Sequence, residues 1–147
     1  MPELTGNPNQ HPPSEFAQGM SGHCLCGSIH VTINDSELFT KRRGHLCHCA
    51  NCRKVAGSYV AANLIVDEAK VTVEDRDGTL KEFVDTQTGS GQPLGSPSRK
   101  GKVILKMGMF PRIPAPECES FALHRHDWQG VHEGVDQYKI KIFDEKL

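Results

Sequence analysis

Three cysteines within six positions constrain this 147-residue chain more than any other feature of its sequence. Cys47, Cys49 and Cys52, here called the cysteine triple, lie in the stretch GHLCHCANCRK. Cys24 and Cys26, the cysteine pair, lie upstream in HCLCG. Thiols this dense are typical of disulfides, a redox couple, a structural metal knot or a working metal site. The loop of Cys47-x-Cys49 is too short for an easy internal disulfide, so the spacing favours a metal, most often zinc.

The cellular compartment also helps to decide between a metal site and disulfides. The first residues contain no apolar segment of the kind that a secretory signal needs, so the sequence predicts a cytoplasmic chain, where disulfides are rare. No apolar run approaches the length of a membrane helix, so no membrane partner is expected. A net charge of −1 argues against nucleic acid as a partner. Residues 1–20, rich in Pro, Asn, Gln and Gly, are predicted to be a disordered tail, and residues 21–147 a single domain.

Apolar and polar residues alternate in several short runs, which is the pattern of half-buried β-strands. The predicted strands with this alternation lie in SIHVTIN, KVTVED, KVILKM, the segment from Phe121 to HRHDW, and QYKIKIF. SYVAANLIV is apolar and β-branched enough for a buried strand. One short helix is predicted at ANCRKVAG, ended by Gly57. The predicted fold class is therefore mainly β, with packed antiparallel sheets and the cysteines on loops at strand ends. Residues 85–102 lack a complete phosphate-binding motif and are predicted to be an exposed linker.

The two cysteine clusters differ in what they can do. Three thiolates from one loop can hold zinc and leave a fourth position for water or substrate, as in a catalytic zinc site. Arg53 and Lys54 follow directly and are either a site for an anionic substrate or a solvated basic turn. Cys24 and Cys26 supply only two of the four ligands of a structural zinc. The sixth cysteine, Cys118, is interpreted as an ordinary strand-end thiol.

Several histidines and aromatic residues have two interpretations each. The histidines near the cysteines or on one side of a predicted strand are candidate ligands, although a single histidine is more often a surface or hydrogen-bonded residue. They are His23, His45, His48, His124 and His126.

Four aromatic residues either shape a pocket or pack in the core, and core packing is expected. They are Tyr59, Phe83, Phe110 and Trp128.

The motifs GHCLCGSIHVTI, CHCANCRKVAGS and a C-terminal HRHDW resemble the family of glutathione-dependent formaldehyde-activating enzymes, which includes centromere protein V. The resemblance extends from about Gly22 to the C-terminus. It implies an Mss4-like fold of packed antiparallel sheets with two zinc sites. By resemblance the cysteine triple holds a catalytic zinc, with Cys49 assigned to catalysis, and the cysteine pair is half of a structural site. The founding activity joins formaldehyde to glutathione as S-hydroxymethylglutathione, which is a carbon–sulfur bond reaction.

The chain departs from this family in the second half of the structural site. That motif normally reads F-C-x-x-C-G-S-P, whereas this chain has QPLGSPSRKGK, with Leu94 where a cysteine is expected. Both cysteines are missing as a block between Leu94 and Gly95, in the pattern of a clean deletion. Three outcomes are open: the pair stays empty, a histidine such as His23 or a second chain completes it, or the pair joins the triple. An empty or weakened first site beside a retained triple is favoured.

Two classes of function follow. The first is a zinc enzyme with carbon–sulfur lyase-like chemistry on a glutathione or other thiol adduct, or on a related small metabolite. Its partners are a thiol or aldehyde-type substrate, with glutathione as a candidate co-substrate and a homodimer as a candidate assembly. The alternative is a non-catalytic, degenerate binding module with an incomplete structural zinc site. A chromatin role, prompted by the centromere-associated relative, is disfavoured by the neutral charge.

Overall fold

The computed structural model describes residues 6–85 and 100–147, which form two β-sheets. In chain order the strands are β1 (Met20–His23), β2 (Ile29–Ile33), β3 (His45–Cys47), β4 (Ala61–Asp67), β5 (Val71–Asp75), β6 (Lys102–Lys106), β7 (Cys118–Ser120) and β8 (Asp136–Gln137). A helix, α1 (Ala50–Ala56), follows β3. Short 3-10 turns lie at Pro8–Gln10, Pro13–Phe16, Glu68–Lys70, Met107–Met109 and Ala122–His124. The prediction of a mainly β fold is confirmed.

The two sheets differ in how their strands pair. The first sheet has the order β1-β2-β5 and is antiparallel throughout. The second has the order β6-β4-β3-β7-β8 and is mixed, because β7 runs parallel to both β3 and β8. The predicted antiparallel pairing holds for every described strand pair that does not involve β7, whereas β7 reaches β3 through a long connection of the kind that parallel pairing requires. This pairing sets Ser120 opposite Cys47 and brings β7 beside the cysteine triple.

The core lies between the sheets, where strands of both sheets bury one face. Alternation in β2 buries Val31 and Ile33, and β4 contributes Leu64 and Val66. The remaining buried members of the cluster are Phe16, Met20, Leu38, Met107 and Phe110. The period-two pattern of β2 therefore matches one-sided burial, whereas β4 is buried on both faces.

Two strands predicted near the C-terminus are replaced or shortened in the structure. The strand expected from Phe121 is replaced by a left-handed residue at Phe121 (φ 53°) and a 3-10 turn. The strand expected in QYKIKIF is reduced to β8, after which Tyr138 makes an isolated bridge to Lys146. The two segments instead pair irregularly with each other. The N–H groups of residues 121, 122 and 123 donate to the carbonyl groups of Ile140, Tyr138 and Lys139, respectively, which is not the order of a regular β-ladder. His124 and His126 therefore do not share one side of a strand.

The N-terminal segment differs from the predicted tail where the structure describes it. Phe16 is buried in the core, and Met20 opens β1. Arg112 Nη1 donates hydrogen bonds to the carbonyl groups of Pro8 at 2.8 Å and His11 at 3.1 Å. These contacts attach residues 8–16 to the domain, ahead of the boundary at residue 21.

The junction of Leu94 and Gly95, and most of the linker predicted at residues 85–102, lie outside the described residues. Among the residues that are described, no helix combines the length and the hydrophobicity needed to cross a bilayer.

Candidate metal centre

The cysteine triple lies at the junction of β3 and α1. Cys47 ends β3 and is buried, whereas Cys49 and Cys52 are half-buried. The three Sγ atoms all lie within 4.8 Å of one another. Thiolates bound to tetrahedral zinc at about 2.3 Å are about 3.8 Å apart, so small movements would close these sulfurs on such an ion. The triple could therefore hold a metal ion, and it is the one cluster of its kind among the described residues.

Local helix capping shapes the loop that carries the triple. Cys49 is the N-cap residue of α1, and its Sγ accepts a hydrogen bond from the N–H of Cys52 at 3.3 Å. Gly57 ends the helix at φ 61°, in the left-handed conformation that glycine adopts readily. The predicted helix and its end at Gly57 are confirmed. The capping bond holds two of the three sulfurs in the same helical turn.

A lysine and an asparagine from neighbouring strands contact the sulfur of Cys52. Lys106, at the end of β6, donates from Nζ to Cys52 Sγ at 3.3 Å and to Asn63 Oδ1 at 2.8 Å. Asn63, on β4, donates from Nδ2 to Cys52 Sγ at 3.6 Å and lies 3.3 Å from His45 Nε2. The sequence alone predicts neither Lys106 nor Asn63 as a site residue. The available signal was a lysine inside the apolar run KVILKM, because a half-buried lysine needs an anionic or polar partner.

The thiols of the triple differ in how readily they ionise. Hydrogen bonds with Cys49 and Cys52, together with burial, raise the pKa of Cys47 far above its ordinary value. Hydrogen bonds from Cys47 and Cys49 lower the pKa of Cys52 despite its burial. The charge of Lys106 lowers the pKa of Cys52 further, as does the amide of Asn63. A thiolate at Cys52 therefore lies beside the ammonium group that stabilises it.

Replacing Lys106 with methionine is expected to weaken zinc binding at the triple about tenfold, because groups that hydrogen-bond metal ligands contribute to affinity. The measurement is competition with a chromophoric zinc chelator. Lys102→Met is the matched control, since Lys102 lies on the same strand but pairs with the exposed Asp67. Equal zinc affinity in the Lys106→Met and Lys102→Met variants would show that Lys106 does not stabilise the metal ligands.

A buried ionic network supports the backbone of the triple. His48, between two of its cysteines, is 1% exposed, and its Nε2 lies 2.9 Å from Oε1 of the fully buried Glu119 on β7. His132 Nδ1 lies 3.2 Å from the same oxygen. Arg125 and Gln137 donate to Oε2 at 3.2 and 2.5 Å. The carboxylate of Glu119 therefore joins β7, β8 and the cysteine loop.

The pKa shifts of His48 and Glu119 favour a neutral imidazole beside a charged carboxylate at neutral pH. Burial lowers the pKa of His48 although its hydrogen bond with Glu119 acts in the other direction. Burial alone would raise the pKa of Glu119, but hydrogen bonds from Gln137 and His48 and the charge of Arg125 hold it below its ordinary value. A neutral imidazole thus donates its Nε2–H to a carboxylate, which orients His48 and the loop around it.

The two basic residues after the triple have different environments. Arg53 donates from Nε to the carbonyl of His48 at 3.2 Å, and its Nη1 lies 3.5 Å from His126 Nε2. Lys54 is exposed. Arg53 therefore braces the cysteine loop, whereas Lys54 faces solvent.

Exposed aromatic rings lie near this helix. Trp128 stacks on His126 with ring centroids 5.6 Å apart and meets Tyr59 edge-on at 5.4 Å. Tyr59, Phe83 and Trp128 are 50%, 90% and 67% exposed, so the expectation that they pack in the core is wrong. The same expectation is confirmed for Phe110, which is 6% exposed.

The remaining cysteines lie apart from the triple. Cys24 and Cys26 follow β1 in the first sheet, with their sulfurs 3.4 Å apart, so the merged site considered from the sequence does not form. His23 binds the Cys24 carbonyl through Nδ1 and does not complete a site with the pair. Cys118 begins β7 and is buried, and burial raises its pKa to about 11. An inert strand-end thiol is the role that fits Cys118.

The described residues include two shallow cavities, of about 350 and 240 Å³. The first lies between the N-terminal segment and residues 110–113, and the second lies beside His45 and Phe143. Neither is lined by a thiol of the triple, so the candidate centre lies outside both of them.

The chain was compared with protein families and with curated proteins. Residues 19–122 match the model of one family, described as glutathione-dependent formaldehyde-activating enzyme. The matched range contains the cysteine pair, the cysteine triple and the residues Asn63, Lys106 and Glu119. A comparison with curated proteins found no match.

Proposed function

The chain belongs to the family of glutathione-dependent formaldehyde-activating enzymes, and from this premise we propose that it is a zinc enzyme that makes or breaks a carbon–sulfur bond. Its substrate is a small thiol adduct, such as that of glutathione with an aldehyde, or a related small metabolite. The cysteine triple carries the proposal, because three thiols within 4.8 Å can hold zinc and leave one position for water or substrate.

The donor set of the triple suits zinc better than a hard cation. Cys47, Cys49 and Cys52 offer only sulfur, which Mg²⁺ and Ca²⁺ do not favour as a ligand. When bound, zinc supplies Lewis acidity that stabilises a thiolate and polarises an aldehyde carbonyl. The half-buried positions of Cys49 and Cys52 support access of a small substrate to the open coordination position.

Other side chains of the protein contribute position and charge. Lys106 and Asn63 fix the sulfur of Cys52, and the ammonium of Lys106 offsets the negative charge that three thiolates bring. Arg53 holds the carbonyl of His48 and so maintains the loop. Lys54, exposed on the same helix, supports binding of a carboxylate-bearing thiol such as glutathione.

The test is thiol-dependent turnover of small aldehydes by zinc-loaded protein, starting with formaldehyde and glutathione. Cys49→Ser removes one zinc ligand while its hydroxyl can still cap α1, and we expect it to lower turnover about a hundredfold. Cys118→Ala removes a thiol outside the triple and is expected to leave turnover unchanged. Equal turnover in the Cys49→Ser variant and the original chain would contradict the proposed mechanism.

The incomplete cysteine pair supports a second candidate, a non-catalytic binding module of the same family. Its two donors cannot form a complete structural zinc site within one chain, which favours a degenerate scaffold. Under this alternative the triple binds zinc but no thiol–aldehyde pair is turned over.

Under either function the spacing of the cysteines, which suits metal and not disulfides, supports a cytoplasmic location.

A further inference from the structure

The turn that carries the cysteine pair is built to present two sulfurs together. Cys24 Sγ and Cys26 Sγ lie 3.4 Å apart, close to the separation of about 3.8 Å for two thiolates on one zinc ion. Cys24 Sγ also accepts the N–H of Ile29 at 3.3 Å, and the Cys24 carbonyl accepts the N–H of Gly27 at 2.9 Å. This geometry is that of one edge of a tetrahedral thiolate site.

The described residues of one chain do not supply the other edge of that tetrahedron. Among the described residues, the sole group of three or more metal-donor side chains is the cysteine triple, which excludes the pair. Residues 86–99 contain no Cys, His, Asp or Glu in their sequence. The structural zinc that the family implies therefore does not fit the described residues of a single copy.

The turn is accessible to a second molecule. Cys26 is exposed, and Leu25, between the two thiols, is a fully exposed apolar side chain. The hydrogen bond with Asp77 raises the pKa of the Arg76 guanidinium, and the charges of Cys26 and Cys24 act in the same direction. A zinc ion with four thiolates is net negative, so a nearby guanidinium favours such a centre.

We propose that two copies of this chain share one zinc ion, which is bound by Cys24 and Cys26 of each copy. The arrangement places the ion on a two-fold axis, where the same surface of each copy meets its counterpart. Each copy contributes one preformed edge, and Leu25 of each copy contacts the other across the axis. Because the complete donor set exists only in the dimer, zinc binding drives the association.

The experiment measures mass and zinc per chain together, by light scattering and elemental analysis of zinc-loaded full-length protein in a phosphine reductant that excludes disulfides. The original chain is expected to be a dimer with about 1.5 zinc ions per chain, one in each triple and one shared. The Cys24→Ser/Cys26→Ser variant is expected to be a monomer with about one zinc ion per chain. A zinc chelator is expected to dissociate the dimer, and added zinc to restore it.

Two controls keep the outcome decisive. Cys118→Ala removes a thiol outside both clusters and is expected to remain a zinc-bridged dimer. Leu25→Ser keeps the four thiols and is expected to retain the bridging zinc with weaker association. A monomeric original chain, or a dimer that survives both Cys24→Ser/Cys26→Ser and chelation, would overturn the proposal. Turnover tests of Cys49→Ser probe the triple alone, so failure of the proposed enzyme function is distinguishable from failure of this one.

Discussion

Replacing Glu119 with alanine is expected to lower the free energy of unfolding of the zinc-loaded protein by about 3–5 kcal/mol. The carboxylate is fully buried and accepts hydrogen bonds from His48, Arg125 and Gln137. Alanine would leave the guanidinium of Arg125, whose side chain is 11% exposed, without its carboxylate. Breaking one side of a buried ion pair is costly because the remaining charge stays desolvated.

The measurement is denaturant unfolding at a fixed zinc concentration, with Glu117→Ala as the matched control. Glu117 lies two residues earlier, and its side chain is exposed. Its replacement is expected to change the free energy of unfolding by less than about 0.5 kcal/mol. Similar losses in the two variants would show that the carboxylate network does not stabilise the fold. The Glu119→Ala variant should also bind zinc more weakly, because His48 then loses the partner that orients the cysteine loop.

Replacing Gly44 with alanine is the second large effect, with an expected loss of about 3 kcal/mol in the free energy of unfolding. Gly44 has φ 84°, and a Cβ there would lie 2.5 Å from the backbone oxygen of Asn63. The strands β3 and β4 would have to separate at the pair His45–Asn63, which lies next to the metal ligands. We therefore expect zinc affinity to fall together with stability.

Gly78→Ala is the matched control for the backbone conformation alone. Gly78 has φ 64°, and nothing lies within 4 Å of the position that its Cβ would take. Its replacement is expected to cost about 1–2 kcal/mol, the usual cost of a left-handed alanine, without any change in zinc affinity. Thermal unfolding and chelator competition on both variants measure the two effects. Equal effects on zinc affinity would exclude a specific role for the close approach of Gly44 to Asn63.

The sequence predicts the fold where local pattern and burial agree. β2 buries Val31 and Ile33 on one face, so the alternation in its sequence matches its burial. β4 buries residues on both faces, as its continuous apolar run predicts. Alternation in QYKIKIF does not produce a strand of that length, because the carbonyl groups of Tyr138, Lys139 and Ile140 bind the irregular segment after β7. A tertiary contact of this kind has no local signature. The parallel pairing of β7 with β3 was missed for the same reason.

In the candidate site, likewise, residues close in sequence could be predicted and residues brought in by the tertiary fold could not. Cys47, Cys49 and Cys52 are close in sequence, so their spacing alone predicts a cluster, and the structure places their sulfurs together. Lys106 is separated from Cys52 by 54 positions, and Glu119 from His48 by 71. Neither contact is visible without the strand order of the second sheet. The residues that orient and neutralise the metal ligands therefore come from the fold rather than from the motif.

If the cysteine triple holds zinc, freshly purified protein should contain it. The direct test is the number of zinc ions per chain, measured by elemental analysis. The measurement is best made in the Cys24→Ser/Cys26→Ser background, where the triple is the remaining thiol cluster. We expect about one zinc ion per chain there, and almost none after the further change Cys47→Ser. Protein that contains no zinc in this background, or that keeps its zinc after Cys47→Ser, would contradict the assignment.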